Sequence, residues 1–177
     1  MMPVPGSTEE RVRGILCSLL VLKPDDVKPE SLLMDDLDAD SITFLEMYFT
    51  LEKEFDVELP DVKADEAMLN LPVPEGVRRL EGRAGGTTFL EYLKEDAVQR
   101  AVGAGPAGRL DGASRERLFR ELTAGALATA LGGRVPDQID PDTPLANLRL
   151  TALFRFLTVG TLARYMDFML ARRAAGA

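Results

Sequence analysis

A repeat at a spacing of 112 residues limits the architectures open to this sequence. Pro24, Asp25, Val27, Pro29, Ser31 and Leu33 correspond in order to Pro136, Asp137, Ile139, Pro141, Thr143 and Leu145, and upstream Ile15 and Leu19 correspond to Leu127 and Leu131. So many matches without a gap mean that one unit, a helix followed by a proline-punctuated loop, occurs twice. A chain of 177 residues then divides most simply into two small modules. Beyond Leu145 the copies diverge. The second runs quickly into a helical stretch from Thr158 to Leu170, which resembles Thr87–Val98 in its threonine start and central tyrosine.

Local signals place the helices of the first module. Ser7 with Glu10 three residues later reads as a capping box, and Val12, Ile15, Leu16, Leu19 and Leu20 follow with helical spacing. Pro24 and Pro29 bracket a polar loop. A second helix is expected from Ser41 to about Phe55, apolar on more than one face and therefore central. Within it, Phe44, Tyr48 and Phe49 are expected to be ordinary core. Residues 70–86 hold Pro72, Pro74 and four glycines, and with Arg78, Arg79 and Arg83 they read as a long loop. A helix resumes over Thr87–Val98. Four glycines and a proline between Val102 and Gly112 suit a linker. The expected division is residues 7–100 with an insertion near 62–86, a linker at 101–112, and a smaller helical module at 113–177.

Charge and composition exclude several functions. Histidine is absent, which removes Ser-His, Cys-His and zinc-histidine arrangements, and Cys17 is alone among leucines, so it reads as a packed thiol without a disulfide. No glycine-rich phosphate loop or nucleophile motif is present, so no enzyme is expected. Residues 1–100 hold 22 acidic against 11 basic side chains and the remainder 7 against 10, giving a net charge of −8. An acidic first half argues against nucleic acid and for partners with basic surfaces. It also suggests that the basic half, through Arg149, Arg155 and Arg164, packs on the acidic one. The apolar region Pro144–Leu170 is broken by those arginines and by Asp167, so no membrane span is expected, and with no stretch like a signal peptide the expected location is cytoplasmic.

The stretch Asp36-Leu37-Asp38-Ala39-Asp40-Ser41-Ile42 carries the chemistry. It sets a serine at a helix start, where backbone amides and the positive end of the helix dipole suit a phosphate ester. The alternating aspartates do not form a calcium loop, because the sixth position is Ser41 rather than glycine and the twelfth is Met47 rather than glutamate. No metal site is expected.

Asp38-Ala39-Asp40-Ser41, followed by Glu46 and by Leu51-Glu52-Lys53-Glu54-Phe55-Asp56-Val57-Glu58-Leu59-Pro60, resembles the signature of acyl carrier proteins of the fatty-acid and type II polyketide kind. Val27-Lys28-Pro29-Glu30-Ser31 and Asp35-Asp36-Leu37 match that family's first loop. The likeness covers residues 7–61 and resumes near Thr87. It implies an all-α fold, an up-down bundle of about four helices followed by the smaller C-terminal helical domain, which is read as a degenerate carrier-like copy. It implies that Ser41 receives 4'-phosphopantetheine from coenzyme A through a phosphopantetheinyl transferase, with Asp40 helping to position transferase and metal. Acyl intermediates for fatty-acid, polyketide or specialised lipid synthesis would ride on the arm as thioesters. Glu46, Glu52 and Glu54 would dock acyl synthases and transferases, and Ile15, Ile42, Leu45, Phe49 and Phe55 would line an acyl slot. Small carriers of this kind resemble monomers. Two departures bear on partner choice: Thr43 and Lys53 stand where the family is often acidic. The rival reading is an unmodified helical scaffold that kept the carrier fold. The second copy offers no equivalent serine, since Leu153 stands opposite Ser41, one deletion gives Ala152, and the nearest hydroxyl, Thr151, has no acidic neighbours.

Overall fold

In the computed structural model, residues 6–60, 66–81, 87–102 and 111–176 are described, and among them there are helices and turns but no strand. Nine α-helices lie in these residues: α1 (Thr8–Leu20), α2 (Ser41–Phe55), α3 (Glu66–Leu69), α4 (Val73–Leu80), α5 (Phe89–Val102), α6 (Gly112–Glu121), α7 (Ala124–Ala130), α8 (Leu150–Leu153) and α9 (Val159–Ala174). The all-α expectation holds.

Capping residues fix most of the starts. Ser7 and Glu10 form the expected reciprocal box on α1. Thr88 and Glu91 form a second at α5, and Asp40, Asp111, Thr123 and Thr158 each accept the amide three residues on. Ser41–Phe55 is helical as expected, and its buried residues Met47, Leu51 and Phe55 recur every fourth position, the spacing of one helix face. Residues 70–86 differ from expectation, because α4 occupies Val73–Leu80. Pro72 is its N-cap and Pro74 falls in its first turn, where a missing N–H leaves no helical bond unmade. The two prolines therefore start a helix rather than prevent one. Arg83 and the rest of 82–86 lie outside the described residues, as do 61–65 of the expected insertion and 103–110 of the expected linker. On either side of 103–110, α5 and α6 pack against each other.

The helices associate out of chain order. α1 packs chiefly against α2 and the C-terminal α9, whereas α5 packs against α4, α6, α7 and α9. Buried side chains from both halves, such as Leu16, Leu33 and Leu51 with Phe119, Leu145 and Phe156, belong to one continuous core. Polar contacts follow the charge asymmetry. Arg155 binds Asp35, Arg164 binds Asp96 and Arg149 donates to the Asn70 carbonyl. Thr8 donates to Asp167, and Arg173 reaches the Phe55 and Asp56 carbonyls.

The repeat has a structural counterpart that explains this order. Leu33 N–H donates to Leu157 O (2.9 Å), Val159 N–H to Ser31 O (3.1 Å) and Gly160 N–H to Pro29 O (2.8 Å). At the positions 112 residues on, Leu145 N–H donates to Leu122 O (2.8 Å), Ala124 N–H to Thr143 O (2.8 Å) and Gly125 N–H to Pro141 O (2.8 Å). The bridges Leu32–Thr158 and Pro144–Thr123 complete the two sets. Each loop is thus clasped by the start of a helix with the sequence Leu-Thr-x-Gly, residues 157–160 for the first and 122–125 for the second. The glycine eases the close approach in both, since a Cβ on Gly160 would lie 3.1 Å from Pro29 O and one on Gly125 3.2 Å from Pro141 O, and the carbonyl would have to give by a few tenths of an ångström. The second loop takes its clasp from the helix just before it, and the first from the far end of the chain.

Candidate functional site

Ser41 is the first residue of α2 and is exposed. Asp40 caps the helix, its Oδ1 accepting both the amide (2.8 Å) and the hydroxyl (2.9 Å) of Thr43. These bonds favour the ionised form and hold the Asp40 carboxyl below the usual carboxylate range. The first turn of α2 contains no acid, so beyond the capping carboxylate of Asp40 no side chain of that turn opposes a negative group placed on Ser41 at the positive end of the helix dipole. Thr43, where an acid is often found, therefore strengthens the cap and leaves this end receptive.

The loop before Ser41 is compact. Asp36 and Leu37 amides donate to Leu32 O, Asp38 to Met34 O and Ala39 to Leu33 O (2.9 Å). Asp38 adopts φ of 56°, a left-handed conformation that aspartate tolerates better than most side chains. Asp35 accepts two bonds from the Arg155 guanidinium (3.1 and 2.9 Å) and one from the Asp137 amide (2.9 Å). Arg155 is the chief reason its carboxyl is held below the usual range.

Beside α2 lies a groove of about 1430 Å³. Ser41, Phe44, Leu45, Tyr48 and Phe49 form one wall, and Leu162, Tyr165 and Met169 of α9 contribute to the opposite one. The α2 wall runs from Ser41 to Asp56, which at 1.5 Å per residue is about 22 Å. Phe154 stands edge-on to Phe44 at the Ser41 end, and Arg173 ties α9 to the end of α2 at the other. Thr151, the one hydroxyl considered in the second copy, lines the groove near Phe154 but belongs to a four-residue helix with no acidic cap.

The five residues expected to form an acyl slot do not come together. Leu45 and Phe49 line the groove, but Ile42, Leu45 and Phe49 are 67%, 57% and 59% exposed and make an apolar stripe on the outer edge of α2. Phe49 is therefore not core, and Phe44 and Tyr48 are half-buried against the groove. Phe55 is buried beneath the Arg11 guanidinium, 4.0 Å from its ring centre, and Ile15 is half-buried on α1; neither lines the groove. Among the expected docking acids, Glu46 and Glu54 are exposed, whereas Glu52 turns inward to accept the Leu59 amide (2.9 Å). The α9 wall was not foreseen. The Leu-Thr-x-Gly pair was the available sequence signal, because it marks α9 as a second clasp.

Residues 10–68 match the family model described as the phosphopantetheine attachment site. Over these residues the chain is similar to phosphopantetheine-attachment domains. Its match runs from α1 into α3 and includes the loop, Asp40, Ser41 and all of α2. No solved structure matches the chain. Domains that this model describes are sites of covalent 4'-phosphopantetheine attachment, and their general role is that of a carrier. An exposed serine at a helix start with no acid in the following turn fits such a group. Among the described residues no helix is long and apolar enough to cross a membrane, and no cluster of three metal-ligating side chains occurs.

Proposed function

We propose that Ser41 bears the phosphopantetheine arm and that the protein holds acyl intermediates for enzymes of fatty-acid, polyketide or specialised lipid synthesis. The observation that carries this is the exposed Ser41 hydroxyl at the start of α2, within the matched segment. Ser41 Oγ displaces the adenosine bisphosphate half of coenzyme A in the transferase site, and its proton passes to the transferase. Once attached, the arm supplies a terminal thiol that carries the acyl group as a thioester. The α2 dipole stabilises the phosphodiester, and Asp40, ionised at neutral pH, fixes the helix start and faces the transferase and its metal.

The groove between α2 and α9 receives the acyl chain, with Phe44, Leu45, Tyr48 and Phe49 replacing the chain's contact with water. Partner enzymes dock on the outer edge of α2. Ile42, Leu45 and Phe49 supply an apolar centre, and exposed Glu46 and Glu54 steer basic surfaces toward it. The chain itself is a non-catalytic, cytoplasmic monomer in this reading. The test is intact-protein mass spectrometry after co-expression with a promiscuous phosphopantetheinyl transferase. One arm added to the wild type and none to Ser41→Ala is expected. No addition to the wild type would favour an unmodified scaffold, and addition persisting in the variant would redirect attention to Thr151.

A further inference from the structure

The second copy of the repeat carries no attachment serine, yet it meets the first copy directly at the loop before Ser41. Asp35 and Asp36, six and five residues upstream of that serine, each bind an arginine from the C-terminal half. Arg155 grips Asp35 through Nε and Nη2, and the same Nη2 donates to the Asp137 carbonyl (2.7 Å). Arg134 donates from Nη2 to Asp36 Oδ1 (2.7 Å) and from Nη1 to Asp137 Oδ1 (3.0 Å). The Asp137 amide returns to Asp35, closing a ring of five charged residues. Asp36 Oδ2 meanwhile accepts the Leu32 amide (2.8 Å), so the ring is fastened to the turn that ends at Ala39. The Asp35 side chain is only 8% exposed although it sits beside an exposed site, and the groups covering it include this network.

We infer that Arg155 and Arg134 are positioning residues for Ser41, holding the attachment loop in the one geometry a transferase can engage. The inference rests on the carrier reading of Ser41. Paired carboxylate and guanidinium forks fix orientation as well as distance. A loop that must first be ordered is bound with an affinity reduced in proportion to the fraction of time it is ordered, so loss of the ring appears as a raised KM for the chain, with little change in kcat. A purely structural ion pair would lower the melting temperature and leave KM alone. The molecule contains its own control, because Arg164 makes a similar two-bond contact with Asp96 (3.3 and 2.9 Å), with neither residue in the attachment loop.

The experiment uses the full chain as substrate for a phosphopantetheinyl transferase with coenzyme A, together with amide exchange on the unmodified chain. Arg155→Ala is expected to raise KM about tenfold with kcat within about twofold, and Arg155→Lys, which cannot form the fork, to recover part of the loss. Arg134→Ala, at a more exposed edge, should raise KM about threefold and provides a variant that folds if Arg155→Ala does not. Arg164→Ala should leave KM unchanged. In parallel, amides of residues 33–41 should exchange about tenfold faster in Arg155→Ala and as in wild type in Arg164→Ala. Unchanged KM in both ring variants, an equal rise in Arg164→Ala, or unaltered exchange would overturn the inference. A wild-type chain that takes no arm sinks the carrier reading and the role in modification with it, whereas the exchange measurement needs no arm and separately decides whether the ring orders the loop.

Discussion

Loops 29–33 and 141–145 sit in the same backbone clasp, bond for bond, yet only one leads to a candidate for chemistry. After Leu33 the chain makes a tight acidic turn and enters α2 at an exposed serine, the first of 15 helical residues. After Leu145 it makes one 3-10 turn and reaches α8, four residues long, where Leu153 opposite Ser41 is fully buried. The clasp is therefore a scaffold, and what distinguishes the copies is the segment each loop feeds. In the first copy that segment presents a hydroxyl and an exposed apolar edge. In the second it supplies core, a wall of the groove and Arg155, which binds Asp35 of the first copy.

The comparison is broken most strongly at its matching leucines. Leu33 and Leu145 are both fully buried, and truncating either to alanine should cost about 2–5 kcal/mol in denaturant unfolding. Only Leu33→Ala should also slow arm addition to Ser41, since the cavity it leaves loosens the residue whose carbonyl closes the turn on the Ala39 amide; equal slowing by Leu145→Ala would mean that the copies are not functionally distinct. The clasp glycines come next. Gly160→Val should destabilise by about 1–3 kcal/mol through overpacking against Pro29 O, and Gly125→Val, at a less buried position, should cost less. Equal melting points for the two variants would show that the first clasp is no tighter than the second.

Removing the helix caps should have a smaller effect. Thr123→Ala should cost about 1 kcal/mol. Thr158→Ala should cost somewhat more, because its hydroxyl is buried and also shared with that of Thr161 (2.9 Å). Acid should sharpen the contrast least in energy but most in location. The Asp35 and Asp40 carboxyls lie below their ordinary range when folded, so their contribution is present at neutral pH and lost as pH falls through the folded values, below about 4. The residues at the same positions in the second copy are Asn147 and Ala152, which do not titrate. Amide exchange followed from pH 7 to 3 should therefore quicken in residues 31–43 before 143–153.

Much of this was legible along the chain because the signals are local. Ser7 with Glu10, the Ser41–Phe55 helix and the doubled proline loop depend on neighbours within a few positions, and each appears in the structure as read. The α4 helix is not legible from Pro72 and Pro74 alone, because a proline breaks a helix or starts one according to the turn it occupies. Glu52 was misjudged because an acid on a helix surface does not reveal that the chain folds back to offer it the Leu59 amide. The exposure of Phe49 and the groove wall from α9 depend on which helices become neighbours, and the pattern of one helix does not encode that. The charge asymmetry did anticipate the ion pairs made by Arg155 and Arg164, since opposite net charges favour contact whatever the topology, whereas Arg149 meets a neutral carbonyl.

The packing of α9 on α1 sets a timetable for synthesis. About 140 residues separate the end of one helix from the start of the other. At about 5–20 residues per second, α1 waits roughly 7–30 s on the ribosome for its partner. Throughout that interval the apolar face of α1 is without one of its covers, and the loop before Ser41 has emerged without its clasp. A nascent chain of this protein is thus expected to need protection of this face until α9 has left the tunnel and the first clasp can close.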